Sequence, residues 1–240
     1  MLLLEIQNAK KAFGGLVALD GMSVEVEEGK IYGLIGPNGA GKTTLFNIAS
    51  GFYKPDAGEV FFRGDRVTDL ESHERCRRGL ARTFQIPKMF PDMSVLDNIL
   101  VGALSRTKAV EHAREEADEI VDFLGMSRKK QAPAGSLRVH ELKHLEIAKA
   151  LATKPKLLLL DEPMGGMNAV EQDQLIELLK KISAAGTTLL VVEHVMHAVA
   201  NLCEHVLVMN AGQKIVEGAT REVLANEEVI RIYLGEEDQC

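Results

Sequence analysis

Short runs of alternating character open the chain. Leu4-Glu5-Ile6 and Met22-Ser23-Val24-Glu25-Val26 set apolar and polar side chains at period two, which predicts antiparallel strands, with Gly14-Gly15 and Glu28-Gly29 as turns. The β-favouring run Ile31-Tyr32-Gly33-Leu34-Ile35 then enters a glycine-rich turn, and Leu45-Phe46-Asn47-Ile48-Ala49 leaves it in a helical pattern. Pro55-Asp56-Ala57-Gly58 turns into a short strand, Glu59-Val60-Phe61-Phe62, and Arg63-Gly64-Asp65 turns again. Ala81 to Gln85 predicts a buried strand ending at a polar residue, and Pro87 and Pro91 break the stretch after it.

After Asp92 the period changes. Ser94 to Leu100 and Val110 to Leu124 recur at helical spacing. In the second, Ala113, Ala117, Ile120, Val121 and Leu124 make an apolar stripe opposite Arg114, Glu115, Glu116 and Asp118, a face expected to be solvated. Strand character returns at Lys156. Four consecutive leucines, Leu157 to Leu160, suit a central parallel strand covered on both faces by helices. Asp161 and Glu162 stand at its C-terminal end, where open α/β sheets place their ligands. A helix from Val170 to Ile182, a buried strand from Thr188 to Val192 and Glu193-His194 at its end repeat the arrangement. Two short strands around Ala211-Gly212 and the run Val229 to Leu234 close the chain.

The glycine-rich turn fits G-x-x-x-x-G-K-[ST] from Gly36 to Thr43, a match that chance supplies in roughly one per cent of chains this long. Gly36, Asn38, Gly39, Ala40, Gly41, Lys42, Thr43 and Thr44 form a phosphate cradle. Glycines bring backbone N–H groups against phosphate oxygens, and the positive end of the following helix faces the same anion. Lys42 would reach the β- and γ-phosphates, and the Thr43 hydroxyl would ligate Mg²⁺. With Asp161 to hold the ion, Glu162 to orient or deprotonate the attacking water and His194 to report on the γ-phosphate, these residues suffice for a Mg²⁺-dependent nucleotide triphosphatase. The expected fold is α/β: a P-loop NTPase core with an antiparallel β-subdomain (residues 1–87 and 156–240) and an inserted α-helical subdomain (residues 88–155).

Composition narrows the partners. The 240 residues are 46% hydrophobic and 26% charged, ordinary for a globular protein. A net charge of −7 offers no basic field for nucleic acid or anionic lipid, so no nucleic-acid partner is expected. Cys76, Cys203 and Cys240 form no C-x-x-C pair, which fits a reduced cytosol. Met1-Leu2-Leu3-Leu4 is too short for a signal segment and no apolar run approaches a membrane span, so a membrane role must come through a partner.

On these residues the chain resembles the ATP-binding subunits of ABC transporters over nearly its whole length. Gly36 to Thr43 is Walker A, Leu157 to Asp161 is Walker B, and Glu162, Gln85 (Q-loop), His194 (switch histidine) and Phe13 (adenine-stacking aromatic) fall in the family's order. The resemblance implies ATP and Mg²⁺ as ligands, with Thr43, Gln85 and Asp161 toward the metal and Glu162, His194 and Gln85 as catalytic residues. It makes Phe13, a core aromatic on pattern alone, a platform for adenine. It further implies transmembrane permease subunits, a solute-binding protein acting through them, a second ATP-binding subunit that clamps two ATP molecules head to tail, and a place at the cytoplasmic face of the cell membrane. Phe13 to Asp20, Arg82-Thr83-Phe84-Gln85 and Ile232 to Glu236 look like importers of branched-chain amino acids, although urea or amide importers and the subunit driving lipopolysaccharide export share parts of these phrases.

One stretch departs from the family. Where its Leu-Ser-Gly-Gly-Gln signature should precede Leu145-Glu146-Ile147-Ala148, this chain has Leu137-Arg138-Val139-His140-Glu141, without the serine or either glycine. Side chains there obstruct close approach to a partner's ATP, which points to a heterodimer. The same stretch spells His140-Glu141-Leu142-Lys143-His144, an H-E-x-x-H pattern whose histidines would share a helix face and bind Zn²⁺ in a metalloprotease. A nucleotide-switched interaction module without a transporter is a further reading. Finally, Ile86, Met89, Phe90 and Met93, between prolines and just after Gln85, are expected to dock a membrane partner.

Overall fold

The computed structural model describes residues 1–234. Strands β1 (Leu2–Phe13), β2 (Leu16–Glu27), β4 (Ala57–Phe62) and β5 (Asp65–Arg66) form an antiparallel sheet in the order β2-β1-β4-β5. Strands β3 (Ile31–Ile35), β6 (Leu80–Arg82), β7 (Leu157–Asp161), β8 (Thr188–Val192), β9 (His205–Asn210) and β10 (Gln213–Ala219) form a second sheet in the order β10-β9-β3-β8-β7-β6. In that sheet every neighbouring pair is parallel except β10 against β9.

Helix α1 (Lys42–Ala49) follows β3, and α2 (Ser72–Arg77) precedes β6. Helices α3 (Val95–Leu104), α4 (Val110–Phe123) and α5 (Val139–Leu151) run between β6 and β7. Around and after β8 come α6 (Ala169–Ala184), α7 (Met196–Leu202), α8 (Thr220–Leu224) and α9 (Glu227–Leu234).

The unbroken apolar runs become central strands because each serves two cores. Leu158, Leu160, Leu189, Val191, Val206 and Val208 join one apolar cluster with residues of α3 to α6. Their neighbours Leu157, Leu159, Leu190, Val192 and Leu207 join another, with Leu45, Phe46 and Ile48 of α1 and the inner face of the antiparallel sheet. Period two is therefore present but invisible as a hydropathy pattern, since both faces are dry.

Two expectations are corrected. Strand β6 stops at Arg82 rather than Gln85, because the N–H of Phe84 turns away from β7 to the Glu146 carboxylate (2.9 Å), leaving Phe84 and Gln85 exposed. On α4, Glu116 is not on the solvated face. It is buried, and accepts from Arg106 Nη2 (2.6 Å) and from Lys154. Burial pushes its carboxyl up, but those two cations outweigh it and the net shift is down.

The join between α1 and α2 rests on one side chain. Arg75 is 1% exposed and donates to the carbonyls of Ile48 (2.7 Å), Ala49 (2.8 Å), Thr68 (3.2 Å) and Leu70 (3.1 Å). It thus satisfies the open carbonyls at the C-terminal, negative end of the cradle helix. Burial lowers its pKa to about 10, so it stays a cation at neutral pH. Arg75→Ala strands these acceptors in the interior and should cost about 2–4 kcal/mol, read as a drop on the order of 5–10 °C in a thermal melt.

Candidate nucleotide site

The cradle needs glycine at two points because other backbone crosses it. A Cβ at Gly36 would lie 2.1 Å from the Met209 carbonyl oxygen at the end of β9, and one at Gly41 would lie 2.4 Å from that of Ala18 in β2, with Gly41 at φ +101°. Helix α1 begins directly after, with no side-chain cap and no acidic residue in its first turn. Its N–H groups and its positive end thus suit an anion. Lys42 Nζ lies over the loop, donating to the carbonyls of Gly36 (2.6 Å) and Pro37 (2.8 Å). Asn38, Gly39 and Thr43 are exposed, Ala40 is buried and Thr44 half-buried.

The ends of β7 and β8 bring together residues far apart in sequence. Asp161, buried, accepts from Arg82 Nη2 (3.2 Å), while Arg82 Nη1 also donates to Asn47 Oδ1 (2.6 Å) and Ser50 Oγ (3.0 Å) beyond the cradle. Burial pushes the Asp161 carboxyl up and the Arg82 charge opposes it. Glu162 sits in the left-handed region at φ +46°, uncommon for a residue with a Cβ. Its Oε2 accepts from Gln85 Nε2 (2.8 Å), and its Oε1 is 3.9 Å from His194 Nδ1. Gln85, Glu162 and His194 therefore lie close together although they come from well-separated parts of the chain.

Phe13 is at the tip of the β1–β2 hairpin, 42% exposed and edge-on to Tyr53 (centroids 5.3 Å apart). It is no core residue. Three contributors carry no motif. Arg82 and Lys143 reach the site from the Q-loop strand and from α5. Glu193 is buried and accepts from the N–H groups of Met164 (2.8 Å) and His194 (3.1 Å), tying together the loops after β7 and β8; burial raises its pKa. A carboxylate that directly follows the buried strand Thr188 to Val192 was the available signal for Glu193.

The altered loop starts α5. Leu137 is buried, Arg138 and Val139 are exposed, and His140 Nδ1 lies 2.8 Å from Glu171 Oε1 on α6. His140 and His144 share a helix face as expected, their ring centroids 6.3 Å apart. The zinc reading fails on the rest. Glu141, its supposed base, accepts from the Arg138 N–H (2.9 Å) and pairs with Lys129, and among the described residues no group of three or more His, Cys, Asp or Glu side chains could hold a metal ion.

The family model "ABC transporter" matches residues 19–165, spanning the cradle, Gln85, the α3–α5 segment and Asp161-Glu162. The chain belongs to the ABC transporter family. A second model, "Branched-chain amino acid ATP-binding cassette transporter", matches residues 213–239. This ABC subunit is 38% identical to a probable branched-chain amino acid transport ATP-binding protein LivG of Archaeoglobus fulgidus, covering 99% of this chain and 97% of that one. It is similar in structure to the ADP conformation of an ATP-binding cassette of an ABC transporter (TM-score 0.89, 35% identity, 98% and 99% coverage). It is also similar to a dimeric bacterial ABC transporter cassette (TM-score 0.83, 25% identity, 91% and 99% coverage). The protein is thus the ATP-binding, ATP-hydrolysing subunit of an ABC transporter, with the P-loop NTPase fold.

Because the Ala18 carbonyl leaves no room for a Cβ, Gly41→Ala should force the cradle open and weaken ATP binding at least about tenfold, or roughly 1.4 kcal/mol. Gly39→Ala, with nothing within 4 Å of its Cβ, should lose less. Titration with a fluorescent ATP analogue compares the two.

Proposed function

We propose that this subunit drives uptake of branched-chain amino acids or a related small solute, bound through permease subunits to the cytoplasmic face of the membrane, with a solute-binding protein delivering the solute to the permease. The observation that carries hydrolysis is the convergence of Gln85, Glu162 and His194 beside a cradle shaped for phosphate. The solute class rests on the similarity of residues 213–239 and on the LivG relative. No helix among the described residues is long and apolar enough to cross a membrane.

In this reading residues 1–87 and 156–240 are the nucleotide-binding core with its antiparallel β-subdomain, and 88–155 the helical insert. The first-turn N–H groups of α1 and Lys42 bind the phosphates, and Phe13, braced by Tyr53, carries the adenine. The exposed Thr43 hydroxyl and the buried Asp161 carboxylate, with Gln85, fit a Mg²⁺ ion, oxygen donors being what that cation takes. When bound, the ion would offset charge on the phosphate oxygens. Glu162, gripped by Gln85 on one oxygen and faced by His194 on the other, orients and deprotonates the attacking water, and His194 adds a donor toward the γ-phosphate. The permease seats in a cavity of about 370 Å³ between core and insert, where Phe52, Phe84 and Val101 line the wall. Ile86 (75% exposed) and Phe90 (49%) lie along the adjoining Q-loop, while Met89 and Met93 are partly buried.

Vesicles carrying the assembled transporter should take up radiolabelled leucine, isoleucine or valine with MgATP. Glu162→Gln should keep MgATP binding while hydrolysis and uptake fall at least about 100-fold, near 2.7 kcal/mol of barrier; Lys42→Ala should lose binding itself. Wild-type turnover in Glu162→Gln would reject the site, and uptake confined to other solutes would reject the substrate.

The second ATP-binding subunit should differ from this one. In a head-to-tail pair each ATP lies between one cradle and the other subunit's signature loop, and here Arg138, Val139 and His140 occupy that loop. A homodimer would carry the obstruction at both sites, at roughly 1.5–3 kcal/mol per lost charge-assisted bond. The isolated chain should therefore hydrolyse ATP weakly, and Arg138→Ser, Val139→Gly and His140→Gly together should raise its rate at least about tenfold. Brisk turnover by the purified wild-type homodimer would show the loop is tolerated.

A further inference from the structure

Helix α5 holds the Q-loop by its backbone. Lys143 Nζ donates to the Gln85 carbonyl (2.7 Å), the Glu146 carboxylate accepts from the Phe84 N–H (2.9 Å), and Lys149 Nζ donates to the Lys88 carbonyl. These positions recur every three residues, so they lie along one helix face. Lys143 alone of the three also reaches across to the strand end, where it donates to the Glu162 carbonyl (3.2 Å). It is 7% exposed. Its ammonium rests on these two carbonyls, and the carboxylates of Glu146, Glu193, Asp161 and Glu162 act on it at longer range. A buried ammonium on two peptide oxygens is costly unless those oxygens need holding. One of them belongs to a residue in left-handed backbone.

We propose that Lys143 is a positioning residue for ATP hydrolysis, its ammonium setting the spacing between the backbones of Gln85 and Glu162 and hence the contact between their side chains. The proposal rests on the reading of Glu162 and Gln85 as hydrolytic groups. The two residues sit on separate loops, 77 positions apart in sequence, and meet in the Gln85 Nε2 to Glu162 Oε2 hydrogen bond of 2.8 Å. Lys143 fixes the main chain on both sides of that bond at once. Without it, the hydrogen bonds left between α5 and the Q-loop backbone among the described residues are those at Phe84 and Lys88, and the Glu162 carbonyl loses its cationic partner. Misplacement of reacting groups by an ångström is enough to slow a reaction about 100-fold while binding survives.

The test uses the full chain in its assembled transporter. Lys143→Met keeps the length and removes the donor; Lys143→Arg keeps the cation. Lys143→Met should leave MgATP affinity and KM within about twofold and lower kcat at least about tenfold, and Lys143→Arg should restore a large part of it. If Lys143 acts through the Gln85–Glu162 contact, its loss should cost little further kcat in a Gln85→Ala background. A brace with only a structural role would lower MgATP binding and kcat together, and would add to Gln85→Ala in full. Should Lys143→Met not fold, Lys143→Gln, which loses charge and reach, carries the same cycle. Unchanged kcat or additive losses overturn the proposal. Glu162→Gln with wild-type turnover would instead remove the reading beneath it, whereas an inactive Glu162→Gln beside a fully active Lys143→Met removes the proposal alone.

Discussion

The inner strands of the six-stranded sheet, β3, β7, β8 and most of β9, are dry on both faces, and this governs their surroundings. Residues such as Leu157 and Leu158 point into different cores, so helices must cover one side while α1 and the antiparallel sheet cover the other. In these inner strands polar groups are then confined to the ends, and the C-terminal ends of β3, β7 and β8 meet at one edge. Cradle, Asp161, Glu162 and the His194 loop are neighbours for that reason, and the burial that perturbs Asp161 and Glu193 is a by-product of the same packing.

The features readable in the sequence were local. The cradle spells its own turn, the leucine run spells a buried strand, and the carboxylates come directly after it without a gap. Gln85 and His194 could be ordered by resemblance before any geometry was available. Pattern alone misplaced Phe13 in the core, because a single aromatic most often serves as core payload; it is exposed at the hairpin tip.

The features that escaped reading were long-range. The N–H of Phe84 is taken by a carboxylate 62 residues away, and nothing near Arg82 announces that β6 must end there. Arg82 itself meets Asp161 across 79 residues. Lys143 sits in a helix that mixes charge and apolar residues, where a charged side chain reads as surface until its partners are known. Glu116 shows the same failure in a regular amphipathic pattern, for the stripe locates the apolar face but not which flanking carboxylate folds over onto it. The H-E-x-x-H pattern misled in the opposite direction: the spacing is right for a shared face, and the surrounding side chains have other employment.

Arg75 has a consequence for ionic strength. Its acceptors are neutral peptide carbonyls in the interior, so no counterion can compete for them and a Debye atmosphere cannot reach the contact. The exposed pairs at the rim of the antiparallel sheet, Lys10 with Asp20 and Arg66 with Glu59, are of the opposite kind and are screened as salt is added. Concentrated salt therefore weakens these rim pairs while leaving the Arg75 contacts at the seat of the cradle helix unscreened.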